Sequence, residues 1–242
     1  MKDRFSHHAQ QYAQFRPVYP DAFYAFLFSH VTNFDTAWDA GTGNGQAARV
    51  LATRFKKVLA TDISAKQLEN ATPTENIVYA VGAETTSMSD HSVDLITVAQ
   101  AIHWFNIPVF FNEVKRVAKP DAIIAVWGYG LLQINPSIDQ KIDHFYKNVV
   151  GPYWDPERTL IDNHYRTIPF PFQELESPPL SFSFQWSLQQ LEGYLNTWSA
   201  VHNYIAANHA NPVETLIAQL QSNWREALPV AFPMFQRIGR IN

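Results

Sequence analysis

The chain has 242 residues, 46% of them hydrophobic, enough to bury the core of one large α/β domain. It contains no cysteine, which excludes disulfides, thiolate nucleophiles and cysteine-based zinc or iron–sulfur sites, and no histidine cluster suggests another metal. A net charge of −4 without a long basic run denies a nucleic-acid partner its usual electrostatic footprint. Met1 to His8 has no apolar signal core and no later run reaches the roughly 18 apolar residues of a membrane helix, so a cytoplasmic protein with no membrane partner is expected.

In chain order, residues 1 to about 32 read as a helical lead-in, in which Pro20-Asp21 starts a helix through His30 with Phe23, Phe26 and Leu27 on one face. Strands and helices then alternate: β at about 34–40, helix 46–55, β 57–62, helix 64–71, β 76–80, β 93–99, helix 107–118 and β 121–127. Such alternation implies a parallel sheet with ligands at the carboxyl ends of its strands. Beyond Trp127 the alternation stops. Ile138 to Val149 reads as helical, a proline-rich stretch follows, Ser181 to Trp186 alternates as a strand, Leu188 to about Ala207 and Pro212 to Ala227 read as helices, and Phe232 to Ile241 as a last strand. We expect a single domain over 1–242, with a cofactor-binding core at 33–127 and a substrate-side cover at 128–242.

The richest segment is Ala37-Trp38-Asp39-Ala40-Gly41-Thr42-Gly43-Asn44-Gly45-Gln46-Ala47-Ala48, an apolar run closing on an acid and then three glycines at every second position. Glycine permits positive φ and close backbone approach, and the following helix adds the positive end of its dipole, so this is a cofactor loop. Gly43 to Ala48 formally fits a dinucleotide fingerprint, but counted from Gly41, the first glycine off the strand, the sixth position is Gln46 and the pattern breaks. Asp39 at the strand tip is expected to repel a pyrophosphate by about 4 kcal/mol at 4 Å and an effective dielectric of 20. A cationic cofactor such as S-adenosylmethionine removes that conflict, its carboxylate suiting the loop amides and its ammonium Asp39. Asp62, followed by Ile63, ends the second strand about 20 residues past the loop, where an acid accepts ribose hydroxyls.

The order of pieces resembles class I S-adenosylmethionine-dependent methyltransferases over roughly the first 130 residues: glycine loop, Asp62, Val81-Gly82-Ala83-Glu84, and Asp94 leading a fourth strand into Gln100-Ala101-Ile102-His103-Trp104-Phe105. The opening Tyr12-Ala13-Gln14-Phe15-Arg16-Pro17-Val18-Tyr19-Pro20 and the Ala99 to Phe105 run look like the branch that includes trans-aconitate methyltransferase. The resemblance implies a Rossmann-like α/β fold, a mostly parallel seven-stranded sheet with helices on both faces and a C-terminal helical or irregular cover. It implies that Asp39, Gly41, Gly43 and Gly45 hold the methionine part, Asp62 and Ile63 the ribose, Ala83 and Glu84 the adenine edge, and Gln100 the floor under the sulfonium. Many relatives carry an Asp where this chain has Gly82, which removes a side-chain acceptor for the adenine amino group. Arg16 and Tyr19 are candidates to close over the cofactor.

His103 and Trp104, just beyond the fourth strand, are the candidate catalytic pair, as base, donor or substrate-orienting groups. Asp94 reads as structural, and Tyr194, Trp198, His202 and Ile205 form a helical stripe that is core first and cavity wall second. The expected activity is methyl transfer to a small molecule, with a carboxylate acceptor implied by the trans-aconitate likeness. The rivals are a nicotinamide-dependent oxidoreductase and a protein that binds S-adenosylmethionine without turnover.

Overall fold

A computed structural model describes Phe15 and residues 17–242, so most of the lead-in, with Arg16, lies outside the described residues. α1 (Asp21–Ser29) precedes β1 (Thr36–Ala40), α2 (Gln46–Ala52), β2 (Lys57–Asp62), α3 (Ala65–Glu69), β3 (Ile77–Val81) and β4 (Val93–Ala99). After a short turn of helix at Ile102–Trp104 come α4 (Ile107–Val117) and β5 (Ala118–Tyr129). The cover holds α5 (Pro136–His144), a π-helical turn at Phe145–Val149, α6 (Arg158–Asp162), β6 (Gln173–Leu175), β7 (Leu180–Trp186), α7 (Leu188–Leu195), α8 (Ser199–Asn208) and α9 (Pro212–Leu220). β8 (Leu228–Arg240) returns to the sheet.

The strand order is β3-β2-β1-β4-β5-β8-β6, with β7 also on β8. β1 to β5 are parallel, and β8 runs antiparallel to β5. β6 pairs with Ile238 to Arg240 and β7 with Leu228 to Met234, so the two short strands occupy successive stretches of one edge and eight strands fill seven positions. Pro178 and Pro179 separate them, since proline cannot donate to a ladder.

The period of two along each strand sends alternate side chains into two cores. Ala37, Leu95, Ile123, Ala125 and Trp127 meet α1, α2 and the cover on one face, with the Phe23 and Trp127 rings 4.8 Å apart. Trp38, Ile96, Val98, Ile124 and Val126 meet α4 through Phe110, Val114 and Val117 on the other. Burial on both faces explains the near-continuous apolar runs of β1 and β4. At the amino ends, Asp94 accepts the Thr36 amide at 2.9 Å and Lys119 Nζ at 2.8 Å, while Lys119 also reaches Asp35. This is the structural role expected of Asp94, far from the carboxyl ends that bear the site.

Three readings of the chain differ from the observed cover. The helix expected from Leu188 to Ala207 is broken at Asn196–Trp198, where the Thr197 hydroxyl donates to Tyr194 O at 2.6 Å. α9 gives way at Gln221 to a tighter turn rather than continuing to Ala227. The last strand starts at Leu228, ahead of Phe232, because β7 offers partners as far back as Trp186.

Candidate active site

β1 delivers the chain into a loop whose three glycines all take left-handed backbone: Gly41 (φ 69°), Gly43 (φ 58°) and Gly45 (φ 81°). A Cβ on Gly41 would lie 2.5 Å from that of Ala101, so glycine here lets the loop touch the segment after β4. A Cβ on Gly43 would meet nothing within 4 Å, leaving that side of the loop open to a ligand.

Asp39 has no exposed surface. Its carboxylate accepts the Thr42 hydroxyl at 2.5 Å and the Thr97 hydroxyl at 2.6 Å, bracing the glycine loop against β4. Burial pushes its pKa up to about 6, against the opposing pull of the two threonine hydroxyls and the Ala48 amide. The carboxylate is therefore enclosed between the glycine loop and β4.

Asp62 is partly exposed at the tip of β2. One carboxylate oxygen accepts the Gly43 amide and the other the Ser64 amide, both at 2.9 Å, so this acid also sets the loop's shape. Ile63 follows it, partly buried, and the Gly82 amide donates to Asp62 O at 3.0 Å, which brings Gly82-Ala83-Glu84 alongside. Glu84 accepts the Asn106 amide at 2.8 Å, linking that segment to the start of α4.

Gln100, directly after β4, also has left-handed backbone (φ 53°). Its amide donates to Trp127 O at 2.8 Å and its Nε2 to Tyr129 O at 3.3 Å, while its Oε1 is enclosed without a hydrogen-bond partner among the described residues. The cleft between these parts is lined by the loop from Gly41 to Asn44, Gln46, Ala47, Ala99, Gln100, Tyr129, Pro17 and Tyr19. The structure therefore brings the glycine loop, Gln100 and Tyr19 together, with Asp62 tied to the loop from one side.

His103 and Trp104 are not among the residues lining this cleft. His103 is buried on the helical turn, its Nδ1 3.0 Å from the Tyr165 hydroxyl, and Trp104 packs beside it with ring centroids 4.8 Å apart. Of the helical stripe, Tyr194 and Trp198 are core, whereas His202 and Ile205 line a cavity. Reasoning from sequence missed Tyr129, which extending the β5 alternation past Trp127 would have found. It missed Thr42 and Thr97 as braces, and Tyr165, whose place depends on tertiary structure alone.

A parallel sheet in the order 3-2-1-4-5 with an antiparallel strand beyond β5, and a glycine loop at its switch point, defines the class I methyltransferase fold. The methyltransferase domain model matches residues 38–126. A Dictyostelium discoideum protein named as a methyltransferase is 35% identical to the chain, covering 98% of it and 95% of the relative. A solved structure described as a type II methyltransferase from Anaeromyxobacter dehalogenans is 38% identical with a TM-score of 0.86, covering 94% of this chain and 98% of that one. A Saccharomyces cerevisiae relative named as an S-adenosylmethionine-dependent methyltransferase is 24% identical, covering 83% of this chain and 82% of its own length. The chain belongs to the methyltransferase domain family and is an S-adenosylmethionine-dependent enzyme. The cleft residues fit that donor: Gly43 leaves an open approach, and Gln100 Oε1 is an enclosed acceptor awaiting a hydrogen-bond donor. No helix among the described residues is long and apolar enough to cross a membrane.

Proposed function

We propose that the chain transfers the methyl group of S-adenosylmethionine to a small-molecule acceptor, with the cofactor lying across the carboxyl ends of β1, β2 and β4. The observation that carries this is the cleft in which the glycine loop, Gln100, Tyr19 and Tyr129 converge. Gly41, Gly43 and Gly45 shape the methionine end, with Asp39 behind them as a brace and Arg16 as a candidate contact from the lead-in. Asp62 and Ile63 face the ribose, and Ala83 and Glu84 the adenine edge. Gln100 Oε1 accepts from the ammonium, a role that its lack of a partner supports.

When bound, the cofactor supplies an already activated methyl group. The chain's own contribution is then alignment and exclusion of water, worth up to about 7–11 kcal/mol. Tyr19 and Tyr129, with rings 6.2 Å apart, wall the cleft from the lead-in and from β5. His103 and Trp104 act from behind, by fixing the turn after β4 on which Gln100 stands. A carboxylate acceptor, as the trans-aconitate likeness implies, needs a cationic group to orient it rather than a general base.

Calorimetric titration with S-adenosylmethionine, S-adenosylhomocysteine (SAH), NAD and FAD tests the reading. The first two are expected to bind and the others not. Tighter binding of NAD would overturn it.

A further inference from the structure

Gly128 lies inside β5, where a residue without a side chain weakens the strand, so its place there needs a reason. The backbone supplies none, because the glycines with left-handed backbone are Gly41, Gly43 and Gly45. Space supplies one. A Cβ at Gly128 would come within 2.7 Å of Gln100 Oε1 and within 2.7 Å of Phe235 Cζ. The three residues lie side by side at the carboxyl ends of β4 and β5: Phe235 on β8 is the cross-strand partner of Gly128, and Gln100 follows Ala99, the β4 partner of Trp127.

The Gln100 amide is constrained from two sides. Its Nε2 donates to Tyr129 O at 3.3 Å, a long bond and a weak hold on a side chain with three torsions. On the other side, Phe235 brings the edge atoms Cζ and Cε2 into the small space that Oε1 also enters. A ring edge carries partial positive charge, as do the Cα hydrogens of glycine, so a carbonyl oxygen is favoured there over an amide N–H.

Phe235 is itself fixed from the cover. Its ring stacks on His164 with centroids 4.9 Å apart and meets Tyr165 nearly at right angles at 5.1 Å. The left-handed turn at His164 and Tyr165 is thereby connected to Gln100 through one aromatic ring.

We infer that Gly128 and Phe235 are positioning residues of this methyltransferase: the glycine leaves the room, the ring edge selects the orientation of the amide, and together they hold Gln100 as the cofactor meets it. The inference rests on the assignment of Gln100 to the cofactor made above.

The test measures SAH affinity by calorimetry on the full chain as wild type, Gln100→Ala, Gly128→Ala, Phe235→Leu, and the two double variants that add Gln100→Ala to each of the latter. Each single variant is expected to bind SAH at least fivefold more weakly. Each double variant is expected to bind within twofold of Gln100→Ala, because residues that act through Gln100 have nothing left to act on, whereas a merely structural role would multiply the losses. Wild-type affinity in a folded Gly128→Ala or Phe235→Leu, or losses that multiply, would overturn the assignment. Should Gly128→Ala fail to fold, Phe235→Leu and its double variant decide alone. Wild-type affinity in Gln100→Ala would remove Gln100 from the cofactor site and overturn the positioning role with it, and failure of wild type to bind SAH would instead bring down the cofactor reading.

Discussion

The Tyr165 hydroxyl lies 3.0 Å from Nδ1 of His103, joining the cover to the turn after β4 through two buried side chains. Tyr165 is held there by an unusual backbone: His164 (φ 53°) and Tyr165 (φ 57°) are both left-handed. Arg237 Nη1 donates to Tyr165 O at 3.1 Å and Ile168 O at 2.6 Å, which steadies that turn from β8.

Tyr165→Phe removes this hydroxyl and leaves the ring in place. A buried polar group that loses its partner costs about 1–3 kcal/mol, so the melting temperature should fall while SAH affinity stays within about twofold. Differential scanning calorimetry and titration read the two quantities. An unchanged melting temperature would mean that the contact does not tie the cover down.

Asp62→Ala should weaken SAH binding at least tenfold, since charged hydrogen bonds are worth about 1.5–3 kcal/mol. The Gly43 and Ser64 amides lose their acceptor as well, so the variant should also lose stability without ligand. Wild-type affinity in the folded variant would remove Asp62 from the site.

Asp39 gives stability a pH dependence of defined sign. Its carboxyl has a folded pKa of about 6, above the ordinary aspartate value of 3.8, so the native state holds this proton more tightly than the unfolded chain. The group's contribution is fully present below about pH 4 and is lost as pH rises through about 6, a change on the order of 3 kcal/mol. Asp39→Asn cannot titrate, and a threonine hydroxyl can turn to accept from its amide. The stability of the variant relative to wild type should therefore rise from pH 4 to 6 and then level off. Urea unfolding across that range tests it, and parallel profiles would show that the enclosed acid does not titrate there.

Gly41→Ala and Gly43→Ala should fail differently. Each forces alanine into left-handed backbone at about 1–2 kcal/mol. At position 41 the new methyl also meets Ala101, so the fold suffers most. At position 43 it enters open space on the cleft side, so the fold survives and SAH affinity falls at least tenfold. Melting temperature and calorimetry on both variants separate the cases; equal affinity of Gly43→Ala and wild type would move the ligand elsewhere.

The sheet was most legible where burial on both faces produces an unbroken apolar run. The residue limits expected for β2 and β4 match Lys57–Asp62 and Val93–Ala99. β5, expected over 121–127, extends from Ala118 to Tyr129, with Asp121 left-handed (φ 64°) and its amide donating to Ile241 O. β6 is three residues long and has meaning only as a partner of β8. At the site, the glycine loop was readable because the chemistry is local. That Asp39 is sealed by Thr97, 58 residues away, and that His103 faces Tyr165, 62 residues away, follows from strand order and from a cover with no periodicity of its own.

The place of β8 also bears on how the molecule is assembled. The first five strands find their partners within residues 36–129, whereas the outer edge of β5, mostly buried, must wait for a strand more than a hundred residues downstream. Pairing of that separation is slow, and an apolar edge left open meanwhile is a template for other chains. The β1 to β5 portion is thus poised to form first and to stay vulnerable to aggregation until β8 closes it. Pro229 and Pro233 sit within the closing strand, where their missing amide protons make it a poor match for any edge but its own.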